Sequence, residues 1–131
     1  MINDINLNKR KIGDDAEWKC INYLENNKIK ILEKNFRCKI GEIDIVGFGD
    51  TGFMAEKGYL IFFEVKFRNS NKNDLAECAV NYNKQVIISK VAKYYMMLHN
   101  IDNFMPIRFD VLAINENKIN WYKNAFEYHT K

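Results

Sequence analysis

Two stretches of this chain alternate between polar and hydrophobic positions, and both carry charge inside an otherwise apolar run. Residues 41–46 read Gly41-Glu42-Ile43-Asp44-Ile45-Val46, and residues 60–67 read Leu60-Ile61-Phe62-Phe63-Glu64-Val65-Lys66-Phe67. Successive side chains of a strand leave opposite faces. Glu64 and Lys66 are therefore expected on one face, with Phe63, Val65 and Phe67 on the other. The same rule puts Glu42 and Asp44 together, opposite Ile43 and Ile45. Around these strands the pattern predicts a first helix over 11–26, with Glu17, Cys20, Ile21 and Leu24 on one face. It also predicts an extended stretch over 29–36, a short helical turn over 74–80, a helix over 84–98, and strands over 107–114 and 119–122. Gly47, Gly49, Gly52 and Gly58 supply hairpin-turn chemistry between the two charged strands. Helix, three strands, helix and strand make an α/β chain with a mixed sheet.

Composition bounds the rest. The 131 residues suit a single domain over 1–131, with polar, Asn-rich residues 1–10 expected as a flexible tail. Hydrophobic residues make up 47%, which argues against global disorder. No apolar run reaches the roughly 18 residues that span a bilayer, and residues 1–11 lack the apolar core of a secretory signal. The expectation is a cytoplasmic protein with no membrane partner. A net charge of +3 permits nucleic-acid binding without arguing for it. Cys20, Cys38 and Cys78 are odd in number and lack a CxxC spacing, so they read as reduced packing residues.

The charged strand positions suggest the chemistry. A hairpin centred near Met54 sets Asp44 opposite Glu64, and Glu42 opposite Lys66. Opposed residues hold their Cβ atoms roughly 4.5–5.5 Å apart, where like charges repel. A divalent cation reverses that sign. Two carboxylates, a backbone carbonyl and waters suit Mg²⁺, with Mn²⁺ as a substitute. Lys66 would project beside the ion, placed to orient a water or to stabilise charge on phosphate. Glu17, on the apolar stripe of the first helix, is the candidate third carboxylate. Its bland alternative is a rim glutamate paired with a lysine.

These residues resemble the PD-(D/E)xK nuclease superfamily, built on an αβββαβ core. More closely they resemble the YraN family, described as Holliday-junction-resolvase-like. The matching words are Ala16-Glu17, Tyr23-Leu24, Ile31-Leu32-Glu33-Lys34-Asn35-Phe36-Arg37, Gly41-Glu42-Ile43-Asp44-Ile45 and Phe63-Glu64-Val65-Lys66. They continue with Ala79-Val80, Lys84-Gln85, Arg108-Phe109-Asp110-Val111 and Asn124-Ala125-Phe126. The resemblance implies a restriction-endonuclease-like mixed sheet flanked by helices. It further implies Asp44, Glu64 and Glu17 as metal ligands, Lys66 as the catalytic lysine and Gln85 as a functional glutamine. The QxxxY extension of some relatives is absent, since position 89 is Ser89. The implied activity is Mg²⁺-dependent endonucleolytic cleavage of branched or structured DNA, and two-fold symmetric junctions would favour a homodimer.

Other polar residues have quieter readings. Arg68, Lys72 and Lys84 are candidate phosphate contacts, which position a duplex without reading sequence. Glu42 is expected in a salt bridge, and Arg108 with Asp110 is expected to brace the sheet. Tyr94-Tyr95-Met96-Met97, Trp18, Trp121 and Phe126 are expected in packing. His99 and His129 have no partner at ligand spacing. Two alternatives stand beside the nuclease: a nucleic-acid-binding accessory of the same fold that cuts little, and a structural interaction module.

Overall fold

The computed structural model describes residues 15–49, 58–68, 79–116 and 118–129. The expected tail over 1–10, Lys72, Cys78 and most of the expected 74–80 turn lie outside them. Helix α1 (residues 15–26) is followed by β1 (Lys30–Arg37), β2 (Glu42–Gly49), β3 (Tyr59–Phe67), α2 (Tyr82–Leu98), β4 (Ile107–Asn115) and β5 (Lys118–Phe126). The strands form one sheet in the order β1-β2-β3-β4-β5. β3 and β4 run parallel and every other neighbouring pair is antiparallel. A parallel pair needs a crossover, and α2 lies within it. This is the restriction-endonuclease-like α/β core, extended by β5. Among the described residues no helix is long and apolar enough to cross a membrane.

Helices on both faces explain the near-continuous apolar strands. α2 covers Val46, Leu60, Phe62, Phe109, Val111 and Ala113 through Ile88, Val91, Ala92 and Tyr95. α1 covers Ile45, Ile61, Phe63, Leu112 and Ile114 through Cys20, Ile21 and Leu24. Both helices end on a left-handed residue that is not glycine. Lys28 has φ 66° and Asn100 has φ 53°. Each lets the next amide reach back, Ile29 N–H to the Leu24 carbonyl at 2.9 Å and Ile101 N–H to the Met96 carbonyl at 2.9 Å. Asn81 caps the start of α2, its Oδ1 accepting the Lys84 N–H at 2.9 Å.

The β2–β3 ladder runs in the register the sequence implies, with Ile45 opposite Phe63, Val46 opposite Phe62 and Gly49 opposite Tyr59. It ends at Ile45–Phe63, however, so the expected Asp44–Glu64 and Glu42–Lys66 pairs are not part of it. Strict alternation fails in β2, however. Ile43 joins the α2-side core and Ile45 the α1-side core, so they do not share a face. Asn35, with φ 53°, marks the change of face. It sits between Lys34 and Phe36, which pair with Ile45 and Ile43. A left-handed residue in an edge strand turns the chain by one face, and asparagine tolerates that conformation better than most. Asp44 is held at this twist.

Two packing expectations and one strand boundary need correction. Of the Tyr94–Met97 run only Tyr95 is buried, while Tyr94 and Met97 are exposed, because four consecutive helical residues cannot share a face. Trp18 is exposed and lies under the Lys34 ammonium, 5.5 Å from its ring centroid. β5 runs from Lys118 to Phe126, well past the expected 119–122. Phe126 is buried, as expected, and Trp121 packs its ring against Tyr23 and Phe63.

Candidate active site

Asp44 stands where the β2–β3 ladder stops. Its Oδ2 accepts the Val65 N–H at 2.8 Å, so a side chain takes the place of the next backbone acceptor. That bond fixes the carboxylate beside Glu64, one residue back on β3. Alternation in β3 holds: Phe63 and Val65 pack on the α1 side, and Glu64 turns to the α2 side, where Lys84 Nζ lies 3.8 Å from its Oε1.

Both residues are half-buried, and each acts on the other's carboxyl group. Glu64 is pushed up to about 7, first by burial and then by the Asp44 charge, with Lys84 and Lys66 pulling the other way. Asp44 is also raised, by burial above all, against the lowering effect of the Val65 N–H. Two acids that cannot both ionise comfortably are a site short of positive charge. A hard divalent cation would supply it, and Mg²⁺ is commonly held by one or two carboxylates that leave water and phosphate in its shell. The donor set therefore fits such an ion through Asp44 and Glu64. Among the described residues no three His, Cys, Asp or Glu side chains are gathered closely enough to hold a metal.

Glu17 lies on α1, half-buried, and its Oε1 accepts the Asn35 Nδ2–H at 2.8 Å. Cys20, on the same helix, has its thiol pushed up to about 12 by burial, then by the charges of Asp44 and Glu17. Glu42 forms an exposed ion pair with Arg37 at 3.1 Å. Lys66 Nζ donates to the Ala79 carbonyl at 2.7 Å. Arg68 follows the end of β3, and its amide donates to the Ile114 carbonyl at 2.8 Å. Lys72 lies outside the described residues.

Gln85 is set on the first turn of α2. Its Nε2 donates to the Val80 carbonyl at 2.6 Å, and its Oε1 lies 2.8 Å from His129 Nε2. Ser89, in the place of the tyrosine of a QxxxY motif, is fully buried and its Oγ accepts the His129 N–H at 3.0 Å. Sequence reasoning missed the Ala79 and Val80 carbonyls and His129. Backbone carbonyls leave no mark in a sequence, and His129 is 40 residues from Ser89. The bend at Asn35 did leave a sign, an asparagine inside a strand word.

A family model described as "Uncharacterised protein family UPF0102" matches residues 16–114. The chain belongs to the UPF0102 family. This is the YraN family that the sequence words resembled. Similar members span nearly the whole chain. A UPF0102 protein of Lachnoclostridium phytofermentans is 38% identical over 121 residues, covering 92% of this chain and 97% of its own. One of Clostridioides difficile is 40% identical over 122 residues, covering 92% and 100%. One of Thermodesulfovibrio yellowstonii is 40% identical over 116 residues, covering 88% and 96%. Glu17, Asp44, Glu64, Lys66, Lys84 and Gln85 all fall inside the residues matched to UPF0102, whereas His129 lies beyond them.

Proposed function

We propose that this UPF0102 protein is a Mg²⁺-dependent endodeoxyribonuclease acting on branched or structured DNA. The observation that carries the reading is the Asp44–Glu64 pair, two half-buried carboxylates held together at the end of the β2–β3 ladder against their own repulsion. Glu64 and Lys66 stand on one face of β3, which adds an ammonium to the same edge of the site. A divalent ion held by Asp44 and Glu64, with Glu17 on its α1 side, would polarise a phosphate oxygen and make a bound water more acidic. Lys66 then stabilises negative charge on the phosphate or orients the attacking water. Lys84, already attracted to Glu64, and Arg68 meet neighbouring phosphates. Hydrolysis in line leaves 5′-phosphate and 3′-hydroxyl ends. A two-fold junction substrate would be cut by two copies of the chain.

The second reading, a binding accessory that cuts little, is favoured by one contact. The Lys66 ammonium is engaged by the Ala79 carbonyl rather than presented to solvent alone. Labelled linear, flap and four-way-junction DNA incubated with Mg²⁺, Mn²⁺ or chelator separates the two. Metal-dependent cutting that falls by two to three orders of magnitude (about what a lost electrostatic stabiliser costs) in Glu64→Ala and Lys66→Ala supports the nuclease. Binding that weakens steeply with salt, without cutting, supports the accessory. Neither cutting nor binding removes both and leaves an interaction module.

A further inference from the structure

Just beyond β5, His129 reaches back to α2 through polar contacts. His129 is anchored twice, through its N–H to Ser89 Oγ at 3.0 Å and through Nε2 to Gln85 Oε1 at 2.8 Å. Residues 85 and 89 are one helical turn apart and so present one face. The Tyr82 ring meets the imidazole edge-on, with centroids 5.1 Å apart. On the far side of Gln85 the amide Nε2 donates to the Val80 carbonyl at 2.6 Å. The preceding carbonyl, that of Ala79, accepts the Lys66 ammonium at 2.7 Å.

Hydrogen-bond chemistry allows this relay one direction only. A carbonyl can only accept, so Val80 requires the NH₂ end of Gln85. That leaves Oε1 facing His129. Oε1 also only accepts, so the imidazole must carry a proton on Nε2. Without His129 the glutamine amide loses the donor that holds its oxygen, and the Val80 carbonyl loses a fixed partner.

From this relay we infer that His129 is a positioning residue for Lys66. Acting through Gln85, it holds the Ala79–Val80 backbone and so the carbonyl that sets the lysine ammonium beside Glu64. The catalytic consequence rests on the nuclease reading; the positioning does not.

Two measurements on the full chain test it. The first is acetylation of Lys66 under limiting acetic anhydride, read by peptide mass spectrometry against exposed Lys30. The second is kcat and KM on a four-way junction with Mg²⁺. His129→Ala is expected to raise Lys66 acetylation at least three-fold and to lower kcat about ten-fold, with KM within two-fold of the parent. His129→Gln, whose amide can donate to Gln85 Oε1, should recover most of both. Gln85→Met should match His129→Ala, and the double variant should be no worse than either single, as expected for residues acting in one relay. Unchanged Lys66 acetylation in folded His129→Ala and Gln85→Met overturns the proposal, as does His129→Gln behaving like His129→Ala. Should the parent protein cut no DNA, the nuclease reading fails and the acetylation result alone decides the positioning.

Discussion

The Val65 N–H donates to Asp44 Oδ2 at 2.8 Å, so a carboxylate caps the β2–β3 ladder at the place where the strands part. One oxygen is committed to the sheet and the other is left for the site. This splits the effects of two substitutions. Asp44→Asn keeps an acceptor for Val65, whereas Asp44→Ala orphans a part-buried amide. Both relieve the repulsion on Glu64 equally. Urea denaturation in chelator is expected to show Asp44→Ala less stable than Asp44→Asn by about 1–2 kcal/mol. Calorimetric titration with Mn²⁺ should show binding weakened at least ten-fold in both.

The same pair sets the pH dependence of stability. With Glu64 raised from 4.5 to about 7, and Asp44 raised alongside it, the native state holds protons that the unfolded chain has released. Stability therefore falls as pH rises from the unfolded carboxylate range to about 7, and is flat above it. The loss between pH 5 and pH 8 is expected to be on the order of 2 kcal/mol. Glu64→Gln should flatten that slope and be more stable than the parent at pH 8. A divalent cation should raise the parent's Tm at pH 8 and have little effect at pH 5. A slope as steep in Glu64→Gln as in the parent would place the main shifted acid elsewhere, since only the part due to the burial of Asp44 should remain.

Cys20 reports on how α1 is seated. Its thiol, buried and facing the charges of Asp44 and Glu17, is pushed up to about 12, so at pH 8 only about one molecule in ten thousand carries the reactive thiolate. Cys38 is only half-buried. Maleimide labelling at pH 8, mapped by peptide, is expected to modify Cys38 in the folded protein and leave Cys20 untouched, with both modified in guanidinium. Equal labelling in the folded state would mean that α1 does not bring Glu17 and Asp44 to one neighbourhood.

Much of this site could be read from spacing alone. Locating the hairpin centre near Met54 was enough to pair Ile45 with Phe63, because a ladder propagates one register along its length. The Glu64/Lys66 face followed from the pleat. Strict alternation then misled at β2, where one left-handed residue, Asn35, on the neighbouring strand accompanies a change of face that separates Ile43 from Ile45. β5 was underestimated because Lys123, Asn124 and Ala125 are exposed on an edge strand and carry no apolar period. The ladder to β4 brackets them, with Val111 opposite Tyr122 and Phe109 opposite Phe126, and the Asn124 N–H donates to Asp110 Oδ1. The Lys66 environment was illegible for another reason. Its partner is a backbone carbonyl, and that segment is tied down by a histidine distant in sequence.

Arg108 and Asp110 brace the far side of the sheet, and they allow a cleaner energetic test than the site. Asp110 is fully buried and accepts hydrogen bonds on both carboxylate oxygens from described residues. Two come from the Arg108 guanidinium at 2.8 and 2.6 Å, one from Trp121 Nε1 at 2.8 Å and one from the Asn124 N–H at 2.8 Å. Asp110 therefore ties β5 to β4 at a bulge, where Asn124 adopts φ 54°. Removing one ion leaves the other buried without its counter-charge, so Arg108→Met and Asp110→Asn should each cost about 3–5 kcal/mol in urea denaturation. The double variant Arg108→Met/Asp110→Asn removes both charges, keeps a side-chain acceptor for Trp121 and Asn124, and should cost far less than the two singles together. Because Trp121 also packs on Phe63, next to Glu64, the single variants should weaken Mn²⁺ binding as well, while the double variant restores it. Additive losses would instead show that Trp121 and Asn124 hold the carboxylate without the arginine.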